Sequence, residues 1–155
     1  MTVFKTKENG TLKKTVFVVA LVALGSAALA HGGVRNEDVL ARMEVMKAIG
    51  DQMKIIGAMA KGEAAFDAVA ANDALTKIAA QSAQIEPSFE TRADDPKSEA
   101  LPAIWQDWED FVQLASATET TAEGLIGTVS AQVDLGPALG KLGGTCKACH
   151  SKYRK

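Results

Sequence analysis

Helical periodicity runs through most of the chain after residue 36, and it limits the possible folds more than any other feature. Apolar side chains recur at steps of three and four residues in four successive segments. No segment shows the sustained alternation of apolar and polar residues that marks a half-buried strand. Because four amphipathic helices must bury their stripes against one another, the pattern predicts an all-α protein folded as an antiparallel four-helix bundle.

The first predicted helix begins at Asn36, whose side chain can cap free backbone amides, and two acidic residues follow it. The helix is expected to end near Lys61 and Gly62. Its apolar stripe contains Val39, Met43, Met46, Ile49 or Gly50, Met53, Ile56, and Met59 or Ala60. This stripe is predicted to face the core.

Three further helices are predicted by the same spacing. The second covers about residues 67–85 and is stopped by Pro87, which cannot continue a helix. Charged and turn-forming residues then predict a surface loop over residues 88–102. The third helix starts at the end of that loop and weakens towards residue 132, and the fourth covers about residues 134–153.

The first thirty residues have the layout of a secretory signal peptide. Four lysines precede an apolar or small run over residues 15–30, which ends in Ala28-Leu29-Ala30 before His31. A membrane anchor is the alternative, but a spanning helix needs about 20 residues and this run is shorter. We therefore expect a cleaved signal peptide at 1–30, export to the periplasm, and one mature domain at 31–155 with no membrane attachment.

Charge narrows the possible partners of the mature domain. The whole chain has a formal net charge of −2, and removal of four lysines and one glutamate makes the mature protein −5. No basic stripe remains that would indicate nucleic-acid binding. A mildly acidic surface is compatible with docking on basic partner proteins, although net charge alone does not identify them.

Both cysteines of the chain lie in the segment Cys146-Lys147-Ala148-Cys149-His150, within the predicted fourth helix. This spacing is the attachment signature of c-type haem. Residues i and i+3 lie on nearly the same side of a helix, so both thiols can add to the two vinyl groups of one haem edge. His150 can then supply an imidazole nitrogen to the iron. The motif predicts one covalent haem c.

Other uses of these cysteines fit less well. A disulfide between Cys146 and Cys149 would close a very short loop and constrain the unfolded chain little. A thioredoxin-like dithiol is expected in a βαβ context, which the chain lacks. A structural zinc site normally has four Cys or His ligands, and the mature chain offers only these two cysteines, His150 and His31.

The motif together with the four helices resembles the class II c-type cytochromes, the cytochrome c′ group. The resemblance extends over 31–155, and its specific parts are residues 38–42, 57–63, 104–105 and 146–154. It implies a four-helix bundle with the haem on the last helix. It also implies that Arg154 is the basic residue one turn after the haem histidine, and that Arg42 is the arginine near a haem propionate. Solvated helix charges are the alternative for both.

The resemblance also bears on the sixth iron position. In the low-spin cytochrome c-556 type, the residue four positions after the first-helix arginine is a methionine ligand, and the matching residue here is Met46. All four mature methionines lie on the first helix, so flexible core packing is the alternative, and it is the preferred one for Met53 and Met59. His31 could ligate only if the N-terminus folded back.

These observations predict a periplasmic carrier of single electrons with His150 and Met46 as axial ligands. Since both axial positions would be filled, we expect no enzymatic activity, and redox proteins are the expected partners. The alternative is a five-coordinate protein that binds nitric oxide or other small gases, with Met46 packed over the iron. The sequence leaves open whether the protein is a monomer or a homodimer.

Overall fold

The computed structural model describes residues 33–155, so the predicted signal peptide and His31 lie outside the described residues. Six α-helices occur in these residues, in the order α1 (Glu37–Ala60), α2 (Ala68–Ser82), α3 (Ile85–Phe89), α4 (Ala103–Gln106), α5 (Trp108–Leu125) and α6 (Leu135–Tyr153), and a short 3-10 helix (Gln132–Asp134) precedes α6. Only α1, α2, α5 and α6 are long. The described residues form no strand, and the one isolated β-bridge joins Ala100 to Arg154. The predicted all-α four-helix bundle is confirmed.

The four long helices form a ring of neighbours in which α2 contacts α1 and α5, and α6 contacts α5 and α1. Buried apolar residues from all four helices meet in one continuous core. None of the described helices combines the length and the apolarity that crossing a bilayer would require.

Helix α1 follows the prediction at both ends but not along its whole stripe. The Asn36 side chain accepts the Val39 N–H at 3.1 Å, and Gly62 has a φ of +75° just after the helix ends. Val39 is buried as predicted, but Met43 is 44% exposed and Arg42 is buried in its place. Met43 was predicted to be buried because it is apolar, but the helix directs the adjacent Arg42 towards the core instead.

The prediction that Pro87 stops the second helix is wrong. Helix α2 already ends at Ser82, and Pro87 is the third residue of the short helix α3. The first backbone amides of a helix have no partner within the helix, so a proline at this position sacrifices no hydrogen bond. The predicted loop is correspondingly shorter, because residues 85–89 are helical.

The third predicted helix is broken and ends early. Asp107, with φ −118° and ψ 45°, separates α4 from α5. Helix α5 ends at Leu125 instead of continuing towards residue 132, because Gly127 turns the chain with a φ of +76°. The Asn72 side chain of α2 fixes this turn by accepting the Gly127 N–H and donating to the Val129 carbonyl, both at 2.7 Å.

An aromatic cluster joins α3, α4 and α5 to the end of α6. The Phe111 ring lies 5.0 Å from that of Phe89 and 5.5 Å from those of Trp108 and Tyr153, measured between ring centroids. The Trp105 indole N–H donates to the Phe89 carbonyl at 2.8 Å. The cluster therefore packs α3, α4 and α5 against the C-terminal half of α6.

Candidate haem site

Helix α6 carries the haem-attachment motif in its last two turns. Cys146 and Cys149 are free thiols, half-buried and three residues apart in unbroken helix, and His150 follows directly. Burial raises the pKa of both thiols. The side chains of Cys146, Cys149 and His150 therefore project from one continuous helix and lie close together.

Two cavities lie beside this group. The larger has a volume of about 240 Å³ and is lined by residues of α1, α5 and α6, including Cys146, Met53 and Ile49. The smaller, of about 100 Å³, is lined by residues such as Val39, Phe89 and Phe111 together with residues 98–100. Both cavities share the same four lining residues, namely Met46, Cys149, His150 and Arg154. The shared wall is thus built by α1 and α6.

These residues fit a covalent haem c. The shared wall provides an imidazole and a thioether, the two side chains that ligate iron in many c-type cytochromes, and a thiol for covalent attachment. The second thiol, that of Cys146, lines the larger cavity. Apolar side chains form most of the remaining walls, as a site that excludes water from a macrocycle requires.

The methionines of α1 differ in their relation to the cavities. Met46 is half-buried and lines both, whereas Met43 lines only the smaller and Met53 only the larger. Met59 lines neither cavity, and with 3% exposure it belongs to the core, where its sulfur accepts the Asp67 N–H at 3.4 Å. Among the methionines of α1, only Met46 lines both of the cavities that His150 also lines.

The C-terminus of α6 is held against residues 98–101. Arg154 forms an ion pair with Glu99 at 2.5 Å and an antiparallel bridge with Ala100. The Leu101 N–H donates to the Tyr153 carbonyl at 2.9 Å. This segment therefore closes the side of the smaller cavity next to His150.

Burial lowers the pKa of His150, and the positive charge of Arg154 lowers it further, while Glu99 opposes this. The imidazole is therefore neutral at neutral pH, the form that ligates iron.

Tyr153 is fixed beside the motif by α5. Its hydroxyl donates to Asp110 at 2.6 Å, and the Lys152 ammonium contacts the same carboxylate at 2.9 Å. The hydrogen bond from Tyr153, followed by that from Lys152, lowers the pKa of Asp110. The carboxylate therefore stays charged and orients both side chains of the last turn of α6.

Arg42 makes contacts that the resemblance did not imply. Its guanidinium donates to the backbone carbonyls of Ser88 at 2.9 Å and Ala93 at 3.1 Å, and also to that of Thr91. It lies over the rings of Phe89, at 4.8 Å, and Trp105, at 5.1 Å. Arg42 also lines the smaller cavity. In this structure it is not a solvated charge, because it is buried and fastens residues 88–93 to α1.

Sequence reasoning missed the closing segment and the residues that hold it. Glu99 and Ala100 fell within a predicted surface loop, and Asp110 has no unusual pattern around it. The only feature of the sequence that could have indicated this contact was charge, since Glu99 is acidic and the C-terminal segment is basic. Gly143 and Gly144, which precede the motif on α6, are exposed and line neither of the two cavities.

Comparisons with known proteins cover the whole bundle. The family model described as Cytochrome C′ matches residues 37–154. A cytochrome c-556 of Agrobacterium tumefaciens is 37% identical over 126 residues, which are 81% of this chain and 97% of that protein. A cytochrome c′ of Rhodopseudomonas palustris is 34% identical over 142 residues, 88% of this chain and 92% of that protein.

A solved structure shares this fold. That of cytochrome c′ from Rhodopseudomonas palustris has a TM-score of 0.72 and 30% sequence identity, and the match covers 78% of this chain and 98% of that one. Relatives of both the c-556 and the c′ type are therefore similar to this chain over nearly their full length.

Proposed function

Because the chain belongs to the cytochrome c′ family, we propose that it is a single-electron carrier in which Cys146 and Cys149 hold the haem and His150 and Met46 are its axial ligands. The cofactor of this family is covalent haem c, which supplies one-electron chemistry when bound, as its iron changes between the ferric and ferrous states.

One observation carries the proposal. His150 on α6 and Met46 on α1 line both cavities, so an imidazole and a thioether face the same space from two different helices. A neutral thioether favours ferrous iron and raises the reduction potential. This donor pair suits a carrier, and with both axial positions filled no site would remain for a substrate.

The surrounding residues orient the donors and exclude water. The ion pair between Arg154 and Glu99 holds residues 98–101 beside His150, and Asp110 fixes Tyr153. The rings of Phe89 and Phe111 fill the wall of the smaller cavity. These three sets of contacts restrain the residues around the site. A restrained site favours a small structural change between the two redox states.

The rival function is gas binding by five-coordinate iron, with Met46 as a packing residue, and the similarity to a cytochrome c′ favours considering it. The optical spectrum of the reduced protein separates the two. The proposal predicts sharp, split α and β bands of low-spin haem and slow or no binding of carbon monoxide. A broad high-spin spectrum with rapid carbon monoxide binding would establish the rival.

We also propose that the domain works in the periplasm after removal of residues 1–30, and that its partners are redox proteins. The basic start, the apolar run and the Ala28-Leu29-Ala30 sequence support this. Mass spectrometry of the exported protein should give a chain that begins at His31. A mature protein that retains residues 1–30 would contradict it.

A further inference from the structure

The charges of the mature chain are separated by sign. Residues 31–134 contain eight Lys or Arg and eighteen Asp or Glu, a formal charge of −10. Residues 135–155, which form α6 and the C-terminus, contain five Lys or Arg and no acidic residue, a formal charge of +5. The net charge of −5 therefore conceals one strongly basic helix, and it is the helix that carries the haem motif.

Two of these five basic residues are paired. Lys152 forms an ion pair with Asp110 and Arg154 forms one with Glu99. These pairs cancel part of the field of α6 and serve mainly to hold the helix against its neighbours.

The remaining three are exposed lysines. Lys141 and Lys147 form no ion pair with any residue in the range 33–155, and the Lys155 ammonium donates to the Ser98 carbonyl at 3.1 Å without an acidic partner among these residues. Lys147 lies between the two cysteines of the motif. Unpaired positive charge is thus placed within two residues of both attachment points.

No side chains project from the helix surface at the two glycines beside Lys147. Gly143 and Gly144 are exposed, and a Cβ built on either would meet open space. They precede Cys146 by only two and three residues. A partner that docks here can approach the backbone leading to the motif closely, and electron transfer weakens with distance.

We propose that the exposed face of α6 around Lys147, Gly143 and Gly144, here called the α6 face, docks a redox protein that carries a cluster of Asp and Glu near its own redox centre. The inference rests on the proposed function, since a carrier must bring its haem edge close to a partner. Net charge alone is compatible with a basic partner, whereas the local charge of this face favours an acidic one.

Local charge can outweigh net charge because salt limits the range of electrostatic forces. The screening length is about 8 Å at physiological ionic strength, so a docking partner responds mainly to charges near the contact. The separation of charge also gives the molecule a dipole that turns α6 towards an acidic partner. Acidic residues on the rest of the surface repel that partner from unproductive positions.

The test measures how fast the reduced protein is oxidised by two small complexes of opposite charge. Hexacyanoferrate(III) is an anion and tris(phenanthroline)cobalt(III) is a cation. On raising the ionic strength from about 0.01 M to about 0.15 M, the rate with hexacyanoferrate(III) should fall at least about twofold, because salt screens its attraction to α6. The rate with the cobalt complex should rise.

Lys147→Gln and Lys77→Gln form a matched pair of variants. Each removes one positive charge, but Lys77 lies on α2 and is paired with Asp73 at 2.7 Å. Lys147→Gln should flatten the salt dependence with hexacyanoferrate(III), and Lys77→Gln should leave it unchanged. Equal slopes in the two variants, or a rate with hexacyanoferrate(III) that rises with salt in the wild type, would overturn the proposal.

A polymer probe extends the test to a macromolecular surface. Poly-L-aspartate should slow the reaction with hexacyanoferrate(III) by covering the α6 face, whereas poly-L-lysine should bind elsewhere and should not slow it. The opposite result would assign docking to the acidic surface. Spin state, measured on the same samples, tests the proposed ligation separately, since the salt dependence is readable for high-spin and low-spin haem alike.

Discussion

The two ends of the bundle are stabilised in different ways. At the end formed by the α1–α2 turn and residues 126–134, side chains satisfy backbone groups directly: Asn72 bridges to Gly127 and Val129, and the Asp134 carboxylate accepts the N–H groups of Ser130 and Ala131. We call this the closed end. At the other end, here the haem end, α1 and α6 enclose two cavities beside His150. Protein contacts stabilise the closed end, whereas we propose that the haem completes the other end.

The largest expected effect follows from removing the cofactor's attachment. Changing both Cys146 and Cys149 to Ala should abolish covalent haem and leave a poorly folded chain, because unfilled cavities are costly and the haem end has no other filling. Haem staining after denaturing electrophoresis and circular dichroism measure the two consequences. Covalent haem that persists in the double variant would contradict the attachment site.

An intermediate effect is expected from Asn72→Ala at the closed end. The change leaves the Val129 carbonyl and the Gly127 N–H without their side-chain partner, which costs about 1–3 kcal/mol of unfolding free energy. The spectrum of the haem should not change, since Asn72 lines neither of the two cavities. Urea unfolding and the optical spectrum together test this separation of the two ends.

Thr76→Ala is the matched control, because Thr76 is one turn away, is exposed, and bonds only to the Asn72 carbonyl. It should change the unfolding free energy by less than about 0.5 kcal/mol. If Asn72→Ala alters the haem spectrum, the two ends are coupled and the comparison fails.

The smallest effect concerns Asp95, which ties the start of α1 to the loop at the haem end. Its carboxylate accepts the N–H groups of Arg35 at 3.0 Å, Asn36 at 3.4 Å and Lys97 at 2.9 Å. The bonds from Arg35 and Lys97 are the main cause that lowers the pKa of Asp95. The resulting stability is therefore present above the unfolded pKa, near 3.9, and is lost as pH falls through the lower folded value.

Asp95→Asn should accordingly reduce stability at neutral pH and narrow the difference in urea midpoint between neutral and acidic pH. Any effect of acid on the haem and its ligands is the same in the wild type and in the variant, so it cancels when the two proteins are compared. A variant whose midpoint falls with acid as steeply as that of the wild type would show that Asp95 does not contribute to the acid sensitivity.

Local patterns predicted some parts of the site and missed others. Cys146, Cys149 and His150 are adjacent in sequence and lie in one helix, so their spacing alone placed them together. Met46 joins them from α1, about a hundred residues away, and only the family resemblance singled it out among the four methionines. That α1 and α6 are neighbours is a property of the packed bundle, which helical periodicity does not specify.

The contacts that the sequence analysis missed are long-range polar ones. Arg42 is buried because three carbonyls of residues 88–93 accept its N–H groups, and those residues belong to a segment without periodicity. The loop residue Glu99 reaches α6 because Arg154 pairs with it across 55 positions. Hydropathy patterns report which side chains avoid water, but they contain no information on which distant polar groups meet.

Met46→Leu tests the central claim most directly. The substitution nearly preserves volume and apolarity, so the loss of stability should stay below about 1.5 kcal/mol. Met59→Leu is the matched control on the same helix, because Met59 packs in the core and lines neither cavity. Met53 is less suitable, since it lines the larger cavity.

The decisive measurement is the spectrum of each reduced variant with and without carbon monoxide. Ligation by Met46 predicts that Met46→Leu becomes high-spin, binds carbon monoxide readily and has a lower reduction potential, whereas Met59→Leu stays low-spin. If Met46→Leu keeps the spin state and carbon monoxide affinity of the wild type, Met46 is a packing residue and the proposed His150 and Met46 ligation is wrong.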